Sequence, residues 1–154
     1  MFFADIRFCT ELDAAPILEV DKTSPYPWPE RIIVRDLRNG AELAYLGAFS
    51  AGEEERLLGY AVLGHESGSG LLMNVVVLPE YRRLGLGMQL VVAAAECASA
   101  LACPSLLLRV RPSNFAALEL YRSLGFVCGK KHARYYNNGE FAQQMSLKLP
   151  LLLK

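Results

Sequence analysis

The chain lacks an excess of charge, a cysteine framework and an apolar run long enough to span a bilayer. Sixteen lysines and arginines balance sixteen aspartates and glutamates. That balance argues against bulk electrostatic binding to nucleic acid or an anionic membrane and leaves only local basic clusters to hold a polyphosphate. The four cysteines, at 9, 97, 103 and 128, show neither CxxC nor Cys/His spacing. They read as small buried thiols, with no metal site and no disulfide framework. The most apolar stretch, 90–108, is interrupted by Glu96, Pro104 and two serines. A membrane helix needs about 20 apolar residues, so this stretch reads as a buried helix followed by a strand. The opening MFFADIRFCTELD has an early aspartate and no cationic segment before an apolar block. The expectation is a cytoplasmic chain without a signal peptide. No repeat and no long linker divides the 154 residues, which predicts a single domain over 1–154.

Apolar residues make up 53% of the chain, enough for a well-filled core or a buried interface. Alternation over 3–8 predicts a first strand. Thr10 with Asp13 resembles a capping box and predicts a helix to about Asp21. SPYPWPE (24–30) is a loop dense in proline and aromatics. Pro29 suits the first turn of a second helix over 31–38, which Asn39 and Gly40 end. Two strands follow, over about 43–49 and 56–64. The turn SGSG leads into LLMNVVVLP (71–79), a continuous apolar run that predicts a strand covered on both faces. Met73 in that run, like Met145 further on, reads as core. After YRRLGLG come an apolar helix to about Ala102, the strand LLLRV, and a helix over 114–124 that Ser113 caps and Gly125 ends. A hairpin closes the chain, pairing about 126–135 with 140–149 around Asn137, Asn138 and Gly139. The order β-α-α-β-β-β-α-β-α-β-β predicts a mixed α/β sheet with helices on both faces.

Two arginines stand in an otherwise apolar strand, SLLLRVRPSN (105–114). Side chains alternate, so Leu106, Leu108 and Val110 face one way and Leu107, Arg109 and Arg111 the other. Burying unpaired guanidinium groups is costly, so that second face must meet water, an acid or an anionic ligand.

A strand, then Arg82-Arg83-Leu84-Gly85-Leu86-Gly87, then a helix, forms the strongest local pattern. The glycines permit a tight turn and close approach of a ligand to bare backbone. The helix start adds unpaired N–H groups and a positive dipole end, and the arginines add charge. The pattern suits a pyrophosphate, although such a turn also serves as a plain connector. It is not the dinucleotide fingerprint, because the third glycine and the distal acid are missing. Nor does it end in the Gly-Lys-Ser/Thr of a phosphate-binding loop. By residue type alone, Tyr121 reads as a packing residue and Asn114 as the start of a helix. Trp28 and its prolines equally read as a plug between helices. His65 and His132 receive no role.

VVVLPEYRRLGLG resembles the V-x-P-x-x-[RQ]-x-x-G-x-[GA] motif of the GCN5-related N-acetyltransferases. RPSNFAALELYRSLGF (111–126) resembles that family's N-x-x-A-x-x-L-Y-x-x-x-G-F segment. The motifs stand in the family's order, and the resemblance covers essentially the whole chain. It implies a central, mixed, mostly antiparallel sheet of about seven strands flanked by about four helices. Within the family, the SPYPWPE loop, L-x-V-R-x-S-N (108–114) and Ala133-Arg134-Tyr135-Tyr136 are similar to segments of the ribosomal-protein-alanine N-acetyltransferases. The implied reaction is direct acetyl transfer from acetyl-CoA, without a metal, to an amine. The leading acceptor is a protein N-terminus, with the alanine of ribosomal protein S18 first. A small-molecule amine (amino acid, polyamine or antibiotic) and a non-catalytic acetyl-CoA-binding role are the alternatives.

The resemblance also implies roles. Backbone groups of Val75, Val76 and Val77 hold the pantetheine arm, and one of their N–H groups polarises the thioester. Arg82, Arg83, Leu84, Gly85, Leu86, Gly87 and Met88 take the pyrophosphate. Asn114 bonds the cofactor arm or a water, and Tyr121 protonates the departing thiolate. Trp28, Arg109, Tyr135 and Tyr136 border the acceptor. Tyr135 and Tyr136 alternate along the predicted strand, so one of them faces the groove.

One position departs from the pattern. Where the family segment has a glutamate taken as general base, this chain has Arg109, which cannot accept a proton near neutral pH. An α-amine of pKa ~7.8 lies only ~1 kcal/mol from its neutral form at pH 7, whereas a lysine amine of pKa ~10.4 lies ~4.6 kcal/mol away. Arg109 therefore favours α-amines, or acceptors carrying an acid beside the amine. Water and backbone carbonyls near Val75, or Glu80 or Glu119, are left to take the proton. Arg109 is expected to point at the acceptor groove or to pair with an acid on an adjoining strand, and Arg111 to make a structural ion pair.

Overall fold

Thr10 opens the first helical segment through the expected capping box. The Thr10 backbone N–H donates to Asp13 Oδ2 at 2.8 Å, and its hydroxyl accepts from the Leu12 N–H at 3.3 Å. The computed structural model describes residues 2–40 and 42–152. Its elements are β1 (Asp5–Phe8), α1 (Ala14–Asp21), α2 (Glu30–Asn39), β2 (Ala44–Phe49), β3 (Leu57–Glu66), β4 (Ser69–Val77), α3 (Leu86–Ala100), β5 (Ser105–Val110), α4 (Phe115–Ser123), β6 (Val127–His132) and β7 (Ala142–Lys148). Single 3-10 turns at Glu11–Asp13 and Pro79–Tyr81 precede α1 and α3. Gly40, at φ +33°, ends α2, and Gly125, at φ +101°, follows α4, both in the left-handed region that glycine adopts without strain.

The strands form one seven-stranded sheet in the order β1-β2-β3-β4-β5-β7-β6, with β4 and β5 parallel and the other neighbours antiparallel. Helices lie on both faces. Leu90, Val91, Ala94 and Ala98 of α3 and Leu118 and Tyr121 of α4 pack with Leu72, Leu106, Leu108 and Met145 on one side. Ile17 and Val20 of α1 and Ile33 and Leu37 of α2 pack with Tyr45, Tyr60, Val62 and Val76 on the other. Buried carboxylates tie this second layer down. Asp21 accepts the Tyr60 hydroxyl at 2.6 Å and the Trp28 backbone N–H at 2.8 Å, and Asp36 accepts the Tyr45 hydroxyl at 2.8 Å.

Strand β4 is not covered on both faces as its apolar run predicts. Pairing with β3 passes from Val62↔Asn74 to Leu63↔Leu72, leaving Met73 as an extra, bulged residue that is 41% exposed rather than core. A bulge bends a strand, and β4 pairs with β5 only over Gly70, Leu71 and Leu72, opposite Leu106, Leu107 and Leu108. Beyond Leu72 the two strands part.

Three further expectations are corrected. Asn114, not Ser113, caps α4, its Oδ1 accepting from the Ala117 N–H at 3.2 Å, while the Ser113 N–H turns to Glu140. The closing strands are shorter than predicted. Arg134 adopts φ +50°, and the chain leaves the sheet after His132, so Tyr135 and Tyr136 lie in the connection and do not alternate across a strand. Cys128 is exposed on β6, and the other three thiols are only part-buried. Strand β6 pairs on one side alone, with β7, which leaves its residues open to solvent.

Candidate active site

Where β4 and β5 part, backbone groups of Val75, Val76 and Val77 on the β5 side have no strand to pair with. An extended ligand can add there as a strand would. Val75 and Val77 lean on the α3–α4 core, and Val76 is buried in the opposite one. The turn after this edge leads to Gly85 at φ +90°, and α3 starts at Leu86 without a side-chain cap. The first N–H groups of α3, at Leu86, Gly87 and Met88, thus have no partner within the helix and carry its positive dipole end. A Cβ on Gly87 would touch only Leu120, at 3.4 Å. Arg82 Nε donates to the Val77 carbonyl at 3.1 Å, and Arg83 adopts φ +64°. Gln89 braces the turn from behind: its amide donates to the Phe2 carbonyl at 2.6 Å and accepts from the Ala4 N–H at 3.0 Å, while Phe2 N–H reaches the Leu84 carbonyl at 3.0 Å. This constellation can hold a polyphosphate on the turn and an extended arm on the β4 edge.

Tyr121 projects from α4 into the same half of the molecule, its ring 5.6 Å from that of Phe126. Burial, with a smaller contribution from Tyr136, pushes its phenol up to about 12. The group therefore stays protonated at neutral pH and has a proton to give. Asn114, one helical stretch earlier, spends its Oδ1 on the cap, which leaves its amide N–H groups for another partner.

On the opposite face of β5 stands Arg109, and Arg111 follows just past the strand's end. Arg109 Nη2 donates to Glu66 Oε2 at 2.6 Å, and Nε points at His132 Nε2 at 3.4 Å. His132 Nε2 is also 2.7 Å from Gln144 Oε1, and the Tyr135 ring lies 5.9 Å from the guanidinium carbon of Arg109. The acid that pairs with Arg109 is not on an adjoining strand. It closes β3, which lies beyond β4 in the sheet. Arg111 lies between two tyrosines, its guanidinium carbon 3.6 Å from the Tyr26 ring centre and 3.8 Å from that of Tyr136. Its Nη1 also donates to Asn138 Oδ1 at 3.2 Å and Glu140 Oε1 at 3.3 Å, which makes the expected ion pair. Hydrogen bonds from Ser113 and from Arg111 hold the Glu140 carboxyl below the ordinary carboxylate range.

Sequence reasoning overlooked Tyr26, Glu66, His132 and Gln144. Tyr26 sits in the aromatic-proline loop that drew notice, but it is the residue that crosses to Arg111. Trp28 instead packs against the α1–α2 core. The need for an acid beside Arg109 was legible in the strand, whereas the acid's position was not. Glu80 is paired at 3.9 Å with Arg56, and Glu119 is exposed on α4, so neither belongs to the Arg109 cluster. Among the described residues, no group of three or more histidine, cysteine or carboxylate side chains is placed to hold a metal. No helix among them is long and apolar enough to cross a membrane.

Comparison with known proteins shows the family of the chain. Residues 12–126 match the Acetyltransferase (GNAT) family. The chain is 32% identical over 127 residues to the [ribosomal protein bS18]-alanine N-acetyltransferase of Escherichia coli K12, covering 82% of each chain. It is 29% identical over 159 residues to an N-alpha-acetyltransferase of Sulfurisphaera tokodaii, covering 94% of this chain and 92% of that one. The crystal structure of the E. coli ribosomal-protein-S18-alanine N-acetyltransferase shares the fold at a TM-score of 0.83 and 24% identity, over 99% of this chain and 97% of that one. The chain thus belongs to the GNAT acetyltransferase family and is an acetyl-CoA-dependent N-acetyltransferase.

Proposed function

We propose that this enzyme, working in the cytoplasm, acetylates the α-amine of a protein N-terminus, with the N-terminal alanine of ribosomal protein S18 as the first acceptor to test. One observation carries the reading: the residue at the expected base position is Arg109, and the carboxylate beside it, Glu66, is engaged by that arginine at 2.6 Å. An acceptor that is already substantially neutral needs no strong base, which suits an α-amine and disfavours a lysine side chain by about 3.6 kcal/mol at pH 7. The 32% and 29% identical relatives, named for acetylation of N-terminal amines, support the same choice.

In this reading the pantetheine arm pairs with Val75, Val76 and Val77, and one N–H there polarises the thioester carbonyl. The pyrophosphate rests on Arg82, Arg83, Leu84, Gly85, Leu86, Gly87 and Met88, and the free amide of Asn114 bonds the arm or a water. The neutral amine attacks the carbonyl carbon, a C–N bond forms, and the C–S bond breaks. Tyr121 gives its proton to the leaving thiolate, and the proton released by the amine passes to water. Tyr26, Tyr135 and Tyr136 wall the acceptor, and Trp28 supports the first of these loops from behind.

The test is mass spectrometry of peptide N-termini after incubation with acetyl-CoA. It includes a peptide with the S18 N-terminus and an internal-lysine control. A mass gain of one acetyl group on the α-amine, with lysine unmodified, is the expected result. Release of CoA with free amino acids or polyamines but with no peptide would replace this reading by the small-amine one.

A further inference from the structure

We infer that Asn74 takes part in the transfer, its side-chain carbonyl holding an N–H of the attacking amine while positive charge grows on that nitrogen. Tyr60 and Asp21 position it. The inference rests on the proposed placement of the acetyl thioester at Val75, Val76 and Val77. Asn74 directly precedes that edge and is the first residue past the Met73 bulge, where β4 has left β5. Its side chain meets Tyr60, a residue packed in the α1–α2 layer. Leu106 and Leu108 pack in the α3–α4 layer, so Arg109, between Leu108 and Val110, faces the same side as Asn74. In the proposed reading the thioester and the acceptor face therefore meet at this residue.

A row of hydrogen bonds fixes which way the amide points. The Tyr60 hydroxyl has one proton, and it goes to Asp21 Oδ1 at 2.6 Å. Burial first, then the hydrogen bond to Asp21, push that phenol far above its ordinary range, so it remains a donor. Its oxygen can then only accept, and it accepts from Asn74 Nδ2 at 3.1 Å. The amide is thus set with Nδ2 inward and Oδ1 outward. The Trp28 N–H holds Asp21 Oδ2 at 2.8 Å, and Asp21 is buried, which keeps the base of the row in place. Asn74 Oδ1 has no partner among the described residues, and no fully buried side-chain oxygen there lacks one, so Oδ1 is not sealed in the core. The Tyr60 and Asn74 dipoles both turn their negative ends toward Oδ1. An acceptor fixed in this way holds a nitrogen more tightly as it becomes cationic, which favours the transition state over the neutral amine. Asn74 takes no proton itself. The C–N bond forms, the amine proton leaves to water, and the C–S bond breaks as Tyr121 protonates the sulfur.

The experiment removes the oxygen with Asn74→Ala and with Asn74→Val, whose branched side chain suits a strand. It uses the amine that the parent turns over, a peptide with an N-terminal alanine in the proposed reading. Each variant should lower kcat/KM for that amine about 10–100-fold. Acetyl-CoA affinity by calorimetry should stay within about twofold, and melting within a few degrees of the parent. Tyr60→Phe frees the amide to turn and should lower kcat/KM about 3–10-fold. In the Asn74→Ala background the same exchange should lower it no further, because no amide is left to orient. A merely structural Tyr60 would cost the same in both backgrounds. Turnover within about threefold of the parent in both Asn74 variants overturns the inference, as do equal effects of Tyr60→Phe in the two backgrounds. A parallel loss of acetyl-CoA affinity also overturns it, by putting Asn74 on the cofactor. Gly87→Ala separates the inference from the placement beneath it. Weakened acetyl-CoA binding in Gly87→Ala, beside unchanged turnover in the Asn74 variants, removes the role of Asn74 alone. Unchanged binding and unchanged turnover remove the cofactor placement and the inference together.

Discussion

Arg111 lies against Tyr26 at 3.6 Å, joining the loop before α2 to the end of β5. The same guanidinium meets Tyr136 on its other side and Glu140 beyond, so one side chain fastens both loops that border the proposed acceptor face. Each face-on cation–π contact is worth about 0.5–2 kcal/mol, depending on desolvation.

Arg111→Ala should therefore release both loops. We expect the acceptor KM to rise about tenfold, equivalent to about 1.4 kcal/mol. The KM for acetyl-CoA should change less than about twofold, because in the proposed reading the cofactor binds along the β4 edge and the α3 start and not at the two loops that Arg111 holds. Steady-state kinetics varying each substrate in turn checks the split. An equal rise in both constants would mean a general loss of structure.

Tyr121→Phe should lower kcat about 10²–10³-fold with cofactor affinity nearly unchanged, the signature of a lost proton donor. In the parent enzyme, kcat/KM should rise with pH as the acceptor amine loses its proton, with an inflection near ~7.8 for an α-amine. Because the phenol is raised to about 12, it remains protonated throughout that rise. No descending limb from Tyr121 should appear below about pH 11, since a raised pKa moves loss of the donor to higher pH. A profile falling between pH 8 and 10 would remove Tyr121 from the role of acid.

Asp21→Ala leaves the Tyr60 hydroxyl and the Trp28 N–H without their acceptor in a site where Asp21 is 2% exposed. An unpaired buried group costs about 1–3 kcal/mol. The two together should lower the melting temperature by roughly 10 °C in a chain of this size. Tyr60→Phe, which removes one of the stranded groups, should cost less in the Asp21→Ala background than in the parent. A thermal-melt double-mutant cycle measures that coupling.

The two glycines of the turn should respond differently. Gly85→Ala places a side chain at φ +90° and should destabilise the fold by about 1–2 kcal/mol. Gly87→Ala, in the first turn of α3 where a Cβ meets only the Leu120 side chain at 3.4 Å, should leave the melting temperature unchanged or slightly higher. In the proposed reading its methyl nevertheless stands where the phosphates approach the helix N–H groups, so acetyl-CoA affinity should fall about tenfold by calorimetry. Unchanged affinity in Gly87→Ala would move the pyrophosphate elsewhere.

The elements, and the strand-turn-helix of the candidate cofactor site, were legible in the sequence because their signals are local. The Thr10 capping box, the Gly40 and Gly125 stops and the strand-turn-helix around Gly85 each rest on a few consecutive residues. Their backbone requirements hold whatever the rest of the chain does. The order of β and α segments also announced a mixed sheet with helices on both faces. Errors fell where the tertiary context overrode a local pattern. The unbroken apolar run of β4 looked doubly buried, yet the Met73 bulge turns it out beside the gap. The run leading to Tyr135 and Tyr136 looked like strand, yet Arg134 turns the chain away at φ +50°.

The sequence by itself determined that a glycine turn opening a helix, a family tyrosine and an unexpected arginine occur in one chain. Hydrophobic period, turn chemistry and motif spacing act over a few residues and can be read without a fold. Only the tertiary structure decided that Arg109 is held by Glu66 and that Arg111 is clasped by Tyr26 and Tyr136. It also decided that β4 parts from β5 beyond Leu72. Charge pairing and aromatic stacking depend on distance in space, and these partners come from loops and strands far apart along the chain. Nothing in the local sequence around either arginine specifies them.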